Sequence, residues 1–178
     1  MDTEDKSYWV QKGREEEDIF CRDIAPLYGI DAIINPSKDD NPYDHDLMVM
    51  KKGRYEPAEL KSVKTPFFKA SDIAGIPPSK CVTLNHKDYI RYMSKYFYRK
   101  LYIFFWVSWE ECKRGDIKVD KVEGLWAASI HHIDDLITSR RSGFHKYSKR
   151  ANLKDGNAKA SHMLSLDDFH EFKKHRLN

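Results

Sequence analysis

Several features that commonly announce a function are scarce or missing in this chain. Its 178 residues hold three cysteines, Cys21, Cys81 and Cys112, far apart and without Cys-x-x-Cys spacing. That excludes a recognisable zinc-ligand set or disulfide framework, and the three read as small buried hydrophobes. No apolar run approaches the ~20 residues that a membrane-spanning helix needs. The longest, Leu101 to Val107, suits a buried strand. Residues Met1 to Lys6 are polar and acidic, unlike a secretion signal, so the expected location is the cytoplasm, with no membrane partner. There is no ATP-binding loop, so any chemistry should proceed without nucleotide hydrolysis by this chain. No helix-turn-helix or zinc finger is visible to read a base sequence. Internal repeats and low-complexity tracts are also missing.

What is present is a chain long enough to bury a full core in one domain, 1–178. Hydrophobic residues make up 40% and aromatics 13%. The net charge of +3 is modest but uneven. Residues 140–159 carry seven Lys or Arg against one acid, Asp155. This basic loop suits a polyanion, and Arg140, Arg141, Lys146, Lys149 and Arg150 are its candidate contacts. Phe144 and Tyr147 lie within it and can stack on bases or pack inward.

Hydrophobic spacing predicts a first helix from about Arg14 to Tyr28, with Phe20, Cys21, Ile24, Leu27 and Tyr28 on one face. Glu17 lies on that inward stripe, whereas Glu15 and Glu16 turn toward water. A short strand over 30–34, a turn-rich connection over 35–41 and a loop over 65–78 follow. That loop carries Lys64 at its edge and Lys69 within it, both candidate substrate contacts. A basic helix over 87–98 is expected to bury Ile90, Met93, Tyr96 and Phe97, and His86 at its start is a candidate phosphate contact. Strands are expected over 101–109 and 122–130. His131, His132, Asp134 and Asp135 open a helix rather than form a metal cluster, because adjacent histidines on a helix diverge. Ser165 to Asp168 resembles a capping box and predicts a last helix reaching His175.

The segment from Asp46 to Lys61 is the most telling. It reads as a β-hairpin turning at Lys52 and Gly53, with strands over 45–50 and 55–63. In that register Asp46 faces Glu59 and Asp44 faces Lys61, so all four side chains share one face. Pro57 suggests an edge or a bulge. Opposed like charges destabilise a ladder unless something compensates, and a divalent cation is the obvious compensation.

Asp46, Glu59 and Lys61, with Pro42 upstream and Glu17 on a preceding helix, resemble the PD-(D/E)xK nuclease superfamily. The order of a glycine, a glutamate helix, an aspartate and Glu-x-Lys is similar to phage and archaeal Holliday junction resolvases. The resemblance covers 13–109 as a catalytic core, leaving 110–178 as C-terminal strand and helix elements. It implies an α/β fold with a central mixed β-sheet flanked by helices, a restriction-endonuclease-like core. It further implies Mg²⁺, with Mn²⁺ able to substitute, held by Asp46, Glu59 and the carbonyl of Leu60. Glu17 would hold a second metal or a metal-bound water, and Lys61 would stabilise the transition state. The expected activity is hydrolysis of DNA phosphodiester bonds, selective for structure rather than sequence, by a homodimer. An inactive nucleic-acid-binding module on the same fold, or an RNA-cleaving enzyme, is the alternative.

Overall fold

The computed structural model describes residues 6–41, 44–147 and 159–175, with side chains from residue 11 on. The chain divides into two compact units, one of Met1–Leu60 with Lys173–Asn178 and one of Lys61–Phe172.

The first unit begins with α1 (Lys6–Ile19), which runs on through a wide turn at Phe20–Ile24 and a tight one at Ala25–Tyr28. The helical run thus starts before Arg14 and ends at Tyr28 as expected, but its last two turns are not α. Pro26 is the reason: it has no N–H to give to the carbonyl four residues back, so the ladder must rearrange. Gly29, at φ 68°, closes the run in the left-handed region. A side chain there would collide with the ring of His175, a residue whose backbone N–H donates to the Leu27 carbonyl at 2.7 Å.

Strand β1 (Ala32–Ile34) pairs antiparallel with β2 (Leu47–Lys51), which pairs with β3 (Arg54–Val63). The hairpin register runs from Lys51 opposite Arg54 to Leu47 opposite Ala58, as the sequence predicts. Lys52 (φ 51°) and Gly53 (φ 80°) both take the positive φ of a type I′ turn. No bulge interrupts the pairing at Pro57, which stands opposite Met48. In an antiparallel ladder, alternate residues turn their N–H away from a given neighbour, so a proline needs no bulge there. β2 starts at Leu47, one residue after Asp46, and Asp44 lies outside the ladder.

The second unit holds α2 (Ala70–Ala74), β4 (Cys81–Asn85), α3 (His86–Tyr96), β5 (Tyr102–Trp109), a hairpin of β6 (Cys112–Arg114) and β7 (Ile117–Val119), β8 (Val122–Ser129), α4 (Ile130–Thr138), β9 (Gly143–Lys146), β10 (Ala160–Ser165) and β11 (His170–Phe172). Its core joins Leu101, Ile103, Phe105 and Val107 of the β5 segment to Ile130, Ile133 and Leu136 of α4.

Three expectations fail here. The final helix is instead a single 3₁₀ turn, Leu166–Asp168, followed by β11. Ser165 does accept the Asp167 N–H, but the aromatic rings then take over: Phe169 stacks on Phe105 at 5.2 Å and Phe172 lies 5.8 Å from Phe104. Helix α3 buries Tyr89, Tyr92 and Tyr96, leaving Ile90 52% and Phe97 58% exposed. Tyr96 is buried as expected and Tyr89 and Tyr92 join it, the Tyr89 hydroxyl finding a partner in Asp134 at 2.5 Å. The 65–78 loop contains α2, and β4, β9 and β10 are strands the sequence does not announce. Residues of the basic segment thus pair in a β10-centred sheet, with Ala160 opposite Lys146 and Met163 opposite Gly143.

The strand orders are β1-β2-β3-β5-β8-β11 in a mixed six-stranded sheet with helices at its flanks, β4-β10-β9, and β6-β7. The α/β class with a central mixed sheet holds. Among the described residues no helix is long and apolar enough to cross a membrane. All three cysteines are free; burial pushes the Cys21 thiol up to about 11 and Cys81 up to about 12.

Candidate active site

The first unit gathers its polar side chains at the open end of the β2–β3 hairpin. Glu17 comes from α1, three residues before the fully buried Phe20, and is 7% exposed. Glu15 is exposed as its helix position requires, whereas Glu16 is half-buried rather than turned to water. Asn35 acts as a buckle. Its side chain accepts the Ser37 N–H at 3.1 Å and donates to the His45 carbonyl at 3.0 Å, while its own N–H donates to the Asp46 carbonyl at 3.0 Å. Pro36 starts the short 3₁₀ turn that Asn35 caps, and Lys38 ends it.

Lys38 is thereby delivered to the acids. Its Nζ donates to Glu17 Oε1 at 2.5 Å and to Asp46 Oδ1 at 2.7 Å. The second oxygen of Asp46 accepts the Leu60 N–H at 3.2 Å. The second oxygen of Glu17 is buried with no hydrogen-bond partner among the described residues. Glu59, on the neighbouring strand, is 3% exposed. Burial, reinforced by the charge of Asp46, raises the Glu17 pKa above the usual carboxylate range. Burial works against the Lys38 ammonium too, but Asp46 and Glu17 outweigh it and its pKa is raised, so it stays charged. The cluster therefore carries two carboxylates, one ammonium and an orphaned oxygen, an arrangement that holds a cation at incomplete satisfaction.

Asp44 turns to His45, accepting its backbone N–H at 2.8 Å and lying 2.8 Å from its Nδ1. Pro42 lies outside the described residues. Lys61 opens the second unit, where its Nζ donates to Asp88 Oδ2 at 3.2 Å and sits 5.5 Å from the Tyr92 ring. Asp88 also pairs with Arg91 at 3.3 Å.

Of the expected nucleic-acid contacts, Lys64 lies over the Trp106 ring at 3.6 Å. Lys69, Arg140 and Lys146 are exposed, and Arg141 pairs with Asp168. Lys149 and Arg150 lie outside the described residues. His86 sits at the first position of α3 with Nδ1 2.9 Å from His162 Nε2. Its ring packs edge-on against Phe144. His131 and His132 diverge, to the carbonyls of Phe97 and Asp168 respectively, as the helical reading requires. Among the described residues no three His, Cys, Asp or Glu side chains are already placed to hold an ion.

The sequence reading missed Lys38, Asn35 and Asp88. Asn35-Pro36 carried a legible signal, an N-cap followed by proline at the first helical position. Nothing local marks Lys38, because its partners lie 21 residues before it and eight after it.

No known protein family matches this chain, and no curated protein matches it. Among solved structures, D212, described as a nuclease from a fusselovirus, is similar at a TM-score of 0.43 and 12% identity, over 92% of this chain and 84% of its own. Likeness of that degree decides nothing about chemistry, and the functional reading rests on the residues themselves.

Proposed function

We propose that this chain is a Mg²⁺-dependent nuclease that hydrolyses DNA phosphodiester bonds. The observation that carries the reading is the convergence of Glu17 and Asp46, from separate elements, on one cation in a largely buried place. An acid on a hairpin and an acid on a helix would not be brought together and desolvated for stability alone, since the unpartnered Glu17 oxygen is a cost.

The donor set fits a hard divalent cation: carboxylate oxygens, with no sulfur or imidazole among them. Asp46, Glu59 and the Leu60 carbonyl would hold it, with Glu17 holding a second ion or a bound water. When present, such an ion neutralises phosphate charge and lowers the pKa of an attacking water. Asp46, tied to the Leu60 N–H, keeps its carboxylate oriented. Glu59, buried in β3, excludes solvent from its side of the site. Lys61 follows two residues on in the same strand and supplies positive charge for the pentacovalent transition state. Exposed Lys69, Arg140 and Lys146 supply phosphate contacts without base reading, which favours selection by DNA shape.

One observation favours the second reading, an inactive nucleic-acid-binding module: Lys38 already compensates the acids. Cleavage of supercoiled plasmid, linear duplex, single strand, a four-way junction and RNA separates the two. Each is assayed with Mg²⁺, Mn²⁺ or EDTA, for wild type, Glu59→Ala and Lys61→Ala. Metal-dependent cutting lost in both variants is the expected result, and the preferred substrate names the subclass. Intact DNA binding with no cutting of any substrate would leave the binding module.

A further inference from the structure

Lys38 stands where a cation is wanted, and it is not one of the residues that the nuclease reading uses. We propose that its ammonium, bonded to Asp46 and Glu17, is a resident occupant of the metal seat and must leave before a divalent ion can be bound there. The inference rests on the metal-site reading above and adds to it a built-in competitor.

Geometry, charge and reach carry the inference. The ammonium bonds one oxygen of each acid, at 2.5 and 2.7 Å, and its side chain is 13% exposed. Mg²⁺ takes carboxylate oxygens at about 2.0–2.1 Å. The same two oxygens would therefore close on an ion with short movements once the ammonium had gone.

Keeping both the ammonium and a divalent ion would place two cations on the same two carboxylate oxygens at contact distance. Repulsion at such range in a desolvated site is severe, so the two occupants exclude each other.

Lys38 is also able to leave. It ends a three-residue turn held at its start by Asn35, and Asp39 and Asp40 beyond it are exposed. A lysine stem of four flexible carbons can carry its head to water without moving that turn. The unpartnered oxygen of Glu17 remains available to the incoming ion and gives the ammonium no comparable bond.

The consequence is regulatory. Apparent metal affinity is the intrinsic affinity reduced by the fraction of molecules in which Lys38 has vacated the seat. The site then stays closed to divalent ions when they are scarce and opens as they rise.

The test is Mn²⁺ binding, followed by electron paramagnetic resonance of the free ion. It compares wild type with Lys38→Met and Lys38→Gln, and with Glu17→Gln and Asp46→Asn as controls. Both Lys38 variants should bind Mn²⁺ at least tenfold more tightly than wild type, and both controls should weaken it. Equal or weaker binding by both Lys38 variants, with the controls still weakening the wild-type site, would overturn the resident-cation role and leave the metal site standing. Failure of every form to bind Mn²⁺ would overturn the metal reading, and this inference with it.

A melting series covers the case where a Lys38 variant folds poorly. Without metal the variants should melt below wild type, and Mn²⁺ should raise their melting temperature more than that of wild type. An equal or smaller rise would count against displacement.

Discussion

Two clusters of buried ionisable groups, one in each unit, solve the same problem in opposite ways. In the first unit Lys38 stays charged and bonds one oxygen each of Glu17 and Asp46. In the second unit His86 and His162 face each other at 2.9 Å, and Tyr89 lies against His162 while donating to Asp134. Burial, then the neighbouring His86, drives the His162 pKa down to about 4, so the ring stays neutral. Burial and Asp134 raise Tyr89 to about 12, so the phenol keeps its proton and its hydrogen bond. The second cluster keeps His162 neutral and satisfies the Tyr89 hydroxyl. The first sets two acids on one ammonium and leaves a Glu17 oxygen without a partner among the described residues. A polar cluster that serves the fold approaches full satisfaction, whereas one that serves chemistry keeps unspent capacity. On the proposed function, that contrast places the histidines with the fold and the acids with the chemistry.

The largest expected effect tests the functional half. Glu59→Gln should lower metal-dependent cleavage by on the order of 10²–10³-fold, the scale of losing one preorganised charge-stabilising group. The circular dichroism spectrum should be unchanged. A variant that cleaves normally would break the assignment of the acids to chemistry.

Next comes the structural half. His162 titrates near 6.5 when unfolded and at about 4 when folded. Its depressed value contributes stability above pH 6.5 that is lost as pH falls toward 4. The loss is on the order of 2–3 kcal/mol. Urea denaturation at pH 7 and pH 4.5 reads it, and His162→Gln should flatten that acid limb without changing the cleavage rate measured at neutral pH. A changed rate in a folded His162→Gln would join the histidines to the site and dissolve the comparison.

The smallest effect sharpens the contrast within the acids. The raised pKa of Glu17 means that its contribution is most favourable when it is protonated and is lost as pH rises through the folded value. Glu17→Gln should therefore stabilise the metal-free protein at neutral pH, by about 1 kcal/mol, while impairing cleavage. Thermal melts with EDTA measure the first and the plasmid assay the second. Loss of stability instead would mean that Lys38 needs both acids and that Glu17 belongs to the fold.

The hairpin was legible because everything that specifies it is local. Lys52-Gly53 sets the turn, alternation sets the faces, and together they give the register from Lys51–Arg54 to Leu47–Ala58. Glu17's inward position was equally readable, since helical spacing alone places it one turn from Phe20. The C-terminal region was not. Ser165 caps only the local turn, and β11 owes its existence to β8, with His170 opposite Ala127, more than 40 residues away in the chain. Helix α3 illustrates a third case: its element was legible and its buried face was not, because aliphatic and tyrosine stripes both fit its period.

The sequence by itself determined the hairpin and its register and the inward glutamate, and it carries Asp46, Glu59 and Lys61 at the spacing that the metal-site proposal uses. These follow from periodicities and turn chemistry that act over a few residues. The tertiary structure alone decided that Lys38 would fill the gap between Glu17 and Asp46, and that Lys61 would bond to Asp88. Those pairings join residues far apart in sequence, and no local pattern records them. Charges that close in space select one another by distance and burial, and only the folded chain sets either.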